Sequence, residues 1–207
     1  MPAFQNSNPE HAMRDFHRFG LMTFAAIGAA LMTPATGESQ GQPTAAVRPA
    51  VIDALMRDIA QLEEKLLSLA DAIPEESFDW RPADGVRSVN EVLVHIAADN
   101  WFLPTIAGVA APAATGIKAG DYPSVQAYEA RVMSKADAVQ ATRESFAHLR
   151  TAMEAADDAA LARKMSVFGS EMNGTDLWVL TATHLHEHLG QLIAYARSNS
   201  VVPPWSR

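Results

Sequence analysis

TDLWVLTATHLHEHLGQLIAYARS, residues 175–198, is the stretch on which the reading of this chain turns. Leu177, Thr181, His184, His188, Leu192 and Tyr195 recur at steps of three and four, the spacing that returns an α-helix to one side. At about 100° per residue, His184 and His188 differ by roughly 40° and by ~6 Å along the axis, so their imidazoles share a face. His186 points about 160° away from either and cannot share a ligand with them. The helix therefore buries an apolar face with two histidines set into its middle. An unpaired buried polar group costs about 1–3 kcal/mol, so the pair needs a partner. A metal ion is one solution, since histidines at i and i+4 form a chelating pair; hydrogen bonds to neighbouring helices are the other. Leu185 stands where a zincin would carry its general base, which disfavours a zincin-type peptidase.

Working outward from this helix, three more stretches carry the helical period. Between Arg48 and Ile73, the residues Ile52, Leu55, Ile59, Leu62, Leu66 and Leu69 form one stripe, stopped by Pro74. The segment 78–85 has turn chemistry and reads as an ordered loop. Ser88-Val89-Asn90-Glu91 is a capping-box pattern that opens a second helix through Leu103 and slightly past Pro104. Residues 110–121, rich in Ala, Gly and Pro, read as a connection. A third helix is expected from near Ser124 to about Ala156, followed by an irregular segment over 157–174. Beyond Ser198, the run Val201 to Trp205 contains Pro203 and Pro204 and is expected to be non-helical. No strand-and-turn alternation and no repeat is visible. The expected fold is all-α, a four-helix bundle over residues 47–207, and such bundles build sites from side chains on facing helices.

His95, on the second helix, is the candidate third group of the site. It sits at the edge of the stripe made by Val89, Val92, Leu93, Ile96 and Leu103, and taken alone reads more readily as a boundary residue than as a ligand. Asp99, one turn on, reads either as a surface residue or as an acceptor supporting the site, with the surface reading slightly favoured. His148 is read as solvated near the end of the third helix, where the dipole favours its charged form.

Apolar residues make up 48% of the 207 and charged residues 19%, a composition that folds rather than staying disordered. The net charge of -8 and the lack of a basic run exclude a nucleic-acid partner, because phosphates are held chiefly by Lys and Arg. The chain has no cysteine, so disulfides, thiolate ligands and a cysteine nucleophile are excluded. Near the N-terminus, Arg14 and Arg18 precede the uncharged run Gly20 to Met32, and Ala35, Thr36 and Gly37 follow it. This is the layout of a secretory signal, with Met13 as an alternative start. Residues 1–37 are expected to be removed as a signal peptide and 38–46 to form a linker. An uncleaved anchor is the competing reading; Pro34 and Gly37 interrupt the run before it reaches the ~20 residues of a bilayer span. The expected location is periplasmic or secreted, without a stable membrane anchor after cleavage.

The run Trp80-Arg81-Pro82-Ala83-Asp84-Gly85, with Ser88, Glu91 and His95-Ile96-Ala97, resembles one signature of the DinB-like (DinB/YfiT) superfamily. His184-Leu185-His186-Glu187-His188-Leu189-Gly190-Gln191, with Tyr195, Ala196 and Arg197, resembles another. The similarity spans residues 48–205, and the closing Pro203-Pro204-Trp205-Ser206 resembles a secreted subgroup. Leu189 stands where many members carry Arg, and Glu187 where a second adjacent His is common, so the rim of the site differs. By position, the resemblance implies that His95, His184 and His188 ligate one divalent metal ion. Three neutral imidazoles leave an open coordination position, as in catalytic sites, and suit Zn, Ni, Fe or Mn. The implied function is a metal-dependent enzyme, either a thiol-dependent transferase or a hydrolase, acting on a small molecule. A non-catalytic metal- or ligand-binding bundle is the alternative. Asp99, Glu187 and Tyr195 are candidate general bases. Val179, His186, Leu189 and Ile193 lie away from the site face, so a homodimer is expected to cover them, with the C-terminal tail as the rival cover.

Overall fold

The computed structural model describes residues 48–206. The expected signal peptide (1–37) and linker (38–46) lie outside the described residues. The first stripe folds as helix α1 (Ala50–Ala72), which buries Ile52, Ile59, Leu62, Leu66 and Leu69. Pro74 then stops it, since proline cannot supply the next helical N–H. Helix α2 (Val89–Ile106) opens on the expected capping box. The Ser88 hydroxyl accepts from the Glu91 N–H, and the Glu91 carboxylate accepts from the Ser88 N–H at 2.8 Å. Pro104 lies in its last turn, where the helix is already ending.

The expected third helix is instead two, α3 (Tyr122–Glu129) and α4 (Lys135–Glu154). Ser134 restarts the helix by accepting from the Asp137 N–H, and Asn90 fixes the break by donating to the Met133 carbonyl at 2.7 Å. The segment 157–174, expected to be irregular, contains a short helix α5 (Asp158–Ala162) and an antiparallel hairpin. Strand β1 (Lys164–Val167) pairs with β2 (Ser170–Asn173), with Lys164 opposite Asn173 and Val167 opposite Ser170. Each strand is too short to display a period of two, which is why no strand was expected. Helix α6 (Gly174–Ser198) begins with its own capping box between Asn173 and Asp176. After it, the non-helical expectation holds through Pro203, but Pro204–Ser206 closes into one 3-10 turn that packs on α1.

The four long helices form a ring in which α1 and α2 each pack against both α4 and α6. Helices α2 and α4 run in the same direction. The Thr142 hydroxyl donates to the Leu93 carbonyl, and the Asn100 amide donates to the Ser145 hydroxyl, so both contacts advance along the two helices together. Parallel neighbours cannot be joined by a tight turn, so residues 107–134 must cross over, and α3 packs on α2 during that crossing. The crossing is what brings Glu129 alongside α2. Phe146, Leu93, Ile96 and Trp178 are buried at the centre of the ring. On the far side of α6, Leu189 is buried within the chain, whereas Val179 remains 43% exposed. The tail lies over α1, with the Lys65 ammonium 6.0 Å from the Trp205 ring. Among the described residues, no helix is long and apolar enough to cross a membrane.

The junction between α5 and α6 is tight. A Cβ at Gly174 would collide with the Ala160 carbonyl and stand 2.9 Å from the Leu161 Cα, both backbone atoms with no freedom to rotate away. Gly174→Ala is therefore expected to lower the unfolding free energy by about 2–3 kcal/mol. Urea denaturation measures it, and an unchanged midpoint would show that α5 yields freely.

Candidate metal centre

Where α2 faces α6, His95 meets His184 and His188. The ring centroids are 4.7 Å apart for His95 and His188, 4.4 Å for His184 and His188, and 5.3 Å for His95 and His184. One ligand atom from each lies within 4.8 Å of the others, and His95 and His188 are buried. These are the three residues singled out in the sequence. His186 is exposed on the other side, where its Nε2 is 2.8 Å from Asp58 Oδ2 on α1, as its helical phase requires.

Each imidazole is oriented by a neighbour. His95 Nδ1 is 2.6 Å from Glu129 Oε1, and the Arg87 guanidinium stands 3.3 Å from the other Glu129 oxygen. Burial alone would raise the Glu129 carboxyl, but the bond to His95 and the charge of Arg87 outweigh it and hold it below its usual range. An ionised carboxylate can only accept, so His95 donates through Nδ1, which leaves Nε2 as the ring nitrogen turned to the cluster. The Gln191 amide donates to the Tyr195 hydroxyl at 2.8 Å, which leaves its carbonyl oxygen to accept from His188 Nδ1 at 2.9 Å. His188 Nε2 therefore bears a lone pair. It is buried and has no hydrogen-bond partner in the protein. Burial pushes the His188 pKa down to about 4, with the bond to Gln191 opposing, so the ring is neutral near pH 7.

Asp99 corrects the surface reading. It is 9% exposed, and its Oδ2 lies 2.7 Å from His184 Nε2 and 3.3 Å from His95 Nε2. The three ring nitrogens gathered here are a donor set that a divalent cation fits, with Asp99 beside two of them. The orphaned His188 Nε2 is the part of that set which hydrogen bonding within the chain leaves unsatisfied. His95, Asp99 and His184 also form the floor of a cavity of about 170 Å³ that opens to the outside.

Of the other candidate bases, Glu187 is exposed and points away, and the Tyr195 hydroxyl is taken by Gln191. Glu129 is a site residue that sequence reasoning missed. It arrives through the crossover, and no local pattern links position 129 to position 95. Gln191 lay on the correct helical face, and that spacing was the signal for it. His148 also departs from expectation: it is half-buried, its Nε2 has no partner, and burial lowers its pKa rather than favouring the charged form.

A four-helix chain with three converging imidazoles between its second and last long helices is the class that these observations define. The sequence model of the DinB superfamily matches residues 58–192, and the chain belongs to that superfamily. A DinB-like protein from Bacillus cereus superposes with a TM-score of 0.59 at 18% identity, covering 74% of this chain and 95% of its own. YfiT from Bacillus subtilis, described as a probable metal-dependent hydrolase with an unusual four-helix bundle topology, gives 0.60 at 13% identity, covering 78% and 94%. A mutant of the mycothiol-dependent maleylpyruvate isomerase gives 0.55 at 10% identity, covering 68% of this chain and 60% of its own. At these identities the likeness is one of fold. No curated protein sequence matches the chain.

The lowered pKa of His148 has a consequence for acid stability. The unfolded chain takes up a proton near the ordinary value of 6.5, before the folded protein does, so stability is full above that value. It is then lost as pH falls toward the folded pKa. In the metal-free protein, His148→Phe is expected to flatten the decline of the thermal midpoint between about pH 6.5 and 5, without abolishing it, because His188 contributes in the same direction. An unaltered slope would show that His148 does not sense the fold.

Proposed function

We propose that this protein is a metal-dependent hydrolase that holds one divalent cation on His95, His184 and His188. The observation that carries the reading is the buried, partnerless Nε2 of His188, in a cluster where one ligand atom from each of His95, His184 and His188 lies within 4.8 Å of the others. When bound there, the cation would lower the pKa of water and polarise a carbonyl. Zn, Ni, Fe and Mn all accept such a donor set.

The remaining roles belong to the chain. Glu129 and Gln191 fix the tautomers of His95 and His188, so that neither ring must turn to present its lone pair. Asp99, on the cavity floor, accepts the proton that an attacking water gives up. The water oxygen joins the acyl carbon, the bond to the leaving oxygen or nitrogen breaks, and the proton passes from Asp99 to the departing alcohol or amine. The description of YfiT as a probable metal-dependent hydrolase supports this chemistry. So does the expected export of the chain, since low-molecular-weight thiols are scarce outside the cytoplasm and thiol transfer would lack its co-substrate.

Elemental analysis of protein purified without a His tag is expected to find about one divalent ion per chain. His95→Ala, His184→Ala and His188→Ala should each lose it, whereas His186→Ala retains it. Equal loss from His186→Ala would refute the ligand assignment.

Asp99→Asn separates binding from chemistry. The variant is expected to keep its metal but hydrolyse a panel of small esters and amides about 100-fold more slowly than the wild type. Unimpaired turnover would remove Asp99 from the role of base.

A further inference from the structure

The cavity above His95 and His184 is walled by Leu103, Leu180, Tyr122 and Phe168, so its floor is polar and its sides are apolar. Its volume of about 170 Å³ is close to the ~150 Å³ that holds a benzene ring. Leu103 is buried, so that wall is fixed, and the Tyr122 ring, 44% exposed, rests edge-on against Phe102 with centroids 6.1 Å apart. Phe168 is different. It is 68% exposed, a large apolar surface left open at the tip of the β1–β2 hairpin.

Its backbone is also held in an unfavourable state. Phe168 has φ of 49° and Gly169 of 81°, the pair of left-handed residues that a two-residue type I′ turn demands. Asn-Gly meets that demand readily, whereas a bulky side chain at positive φ is strained. An aromatic residue here therefore works against the turn and against solvation at once. Strain of this kind persists at ligand contacts, where the gain comes on binding.

We propose that the site takes a small ester or amide bearing a ring-sized apolar group, and that Phe168 is the specificity residue that closes over that group. The inference rests on the metal-dependent reading above. The acyl carbonyl would sit at the floor beside Asp99, with the apolar group rising between Leu180 and Phe168. Neither Phe168 nor Leu180 touches the reacting atoms in this arrangement, so their effect falls on the choice of substrate.

The test uses the full chain loaded with Co²⁺, whose visible bands report ligands entering the metal's coordination sphere. Titration compares benzohydroxamate with acetohydroxamate, which share a chelating head and differ in the apolar group. The wild type is expected to bind benzohydroxamate about tenfold more tightly. In Phe168→Asn that preference should fall to about twofold, with acetohydroxamate unaffected and the thermal midpoint no lower, because Asn suits the turn. Phe168→Leu should restore part of the preference. Equal binding of both probes by the wild type, or an undiminished preference in Phe168→Asn, overturns the proposal. A wild-type dimer by light scattering that Phe168→Asn converts to monomer would overturn it too, by assigning the ring to a second copy. Failure to develop Co²⁺ bands at all would instead defeat the metal reading, and this inference with it.

Discussion

Burying three imidazoles between two helices sets the condition that everything else around them meets. A neutral imidazole has one donor and one acceptor, and inside a bundle each must be used or its desolvation goes uncompensated. Here the outward nitrogens of His95 and His188 are satisfied by Glu129 and Gln191, and the inward nitrogens are left facing one another. Asp99 gives His184 Nε2, and at longer range His95 Nε2, an acceptor, but His188 Nε2 is left without any hydrogen-bond partner. A cation held there would resolve it, and Asp99 reaching between His95 and His184 adds charge that would favour one.

Much of this was legible from residue spacing. The stripe of α1, the Ser88–Glu91 capping box of α2 and the shared face of His184 and His188 follow from periods of three and four and from the reach of short polar side chains. His186 shows why phase outweighs composition: it stands between two site histidines in sequence, yet it pairs with Asp58 on the opposite side of the helix. The single-helix reading of 124–156 failed for a local reason, since Ser134 interrupts a pattern that Tyr128 and Val139 otherwise carry across the break. Asp99 was read as solvated because a carboxylate near an apolar stripe is usually at its edge. Only the approach of α6 encloses it.

Glu129 and the hairpin were illegible for a different reason, which is topological. The parallel packing of α2 with α4 forces a long crossover, and what that crossover delivers to the site depends on its path in space. Residue 129 is brought to residue 95 by that path, with no signal in the sequence around either. The hairpin over 164–173 has strands of four residues, below the length at which alternation can be distinguished from chance.

The same hairpin illustrates how stability and function separate along this chain. Through most of the bundle's interior, apolar period, caps and packing favour one structure. At the mouth of the cavity the agreement fails: Phe168 takes a backbone conformation better suited to Asn, and presents its ring to solvent. Local disagreement of this sort is expected where a surface is shaped for a ligand rather than for the fold, because selection for folding alone would favour the residue the turn prefers. The floor of the cavity makes the complementary choice, placing His95, Asp99 and His184 where an apolar core would be more stable. Strain above and buried polarity below thus converge on one small volume, at the point where α2 and α6 meet the hairpin tip.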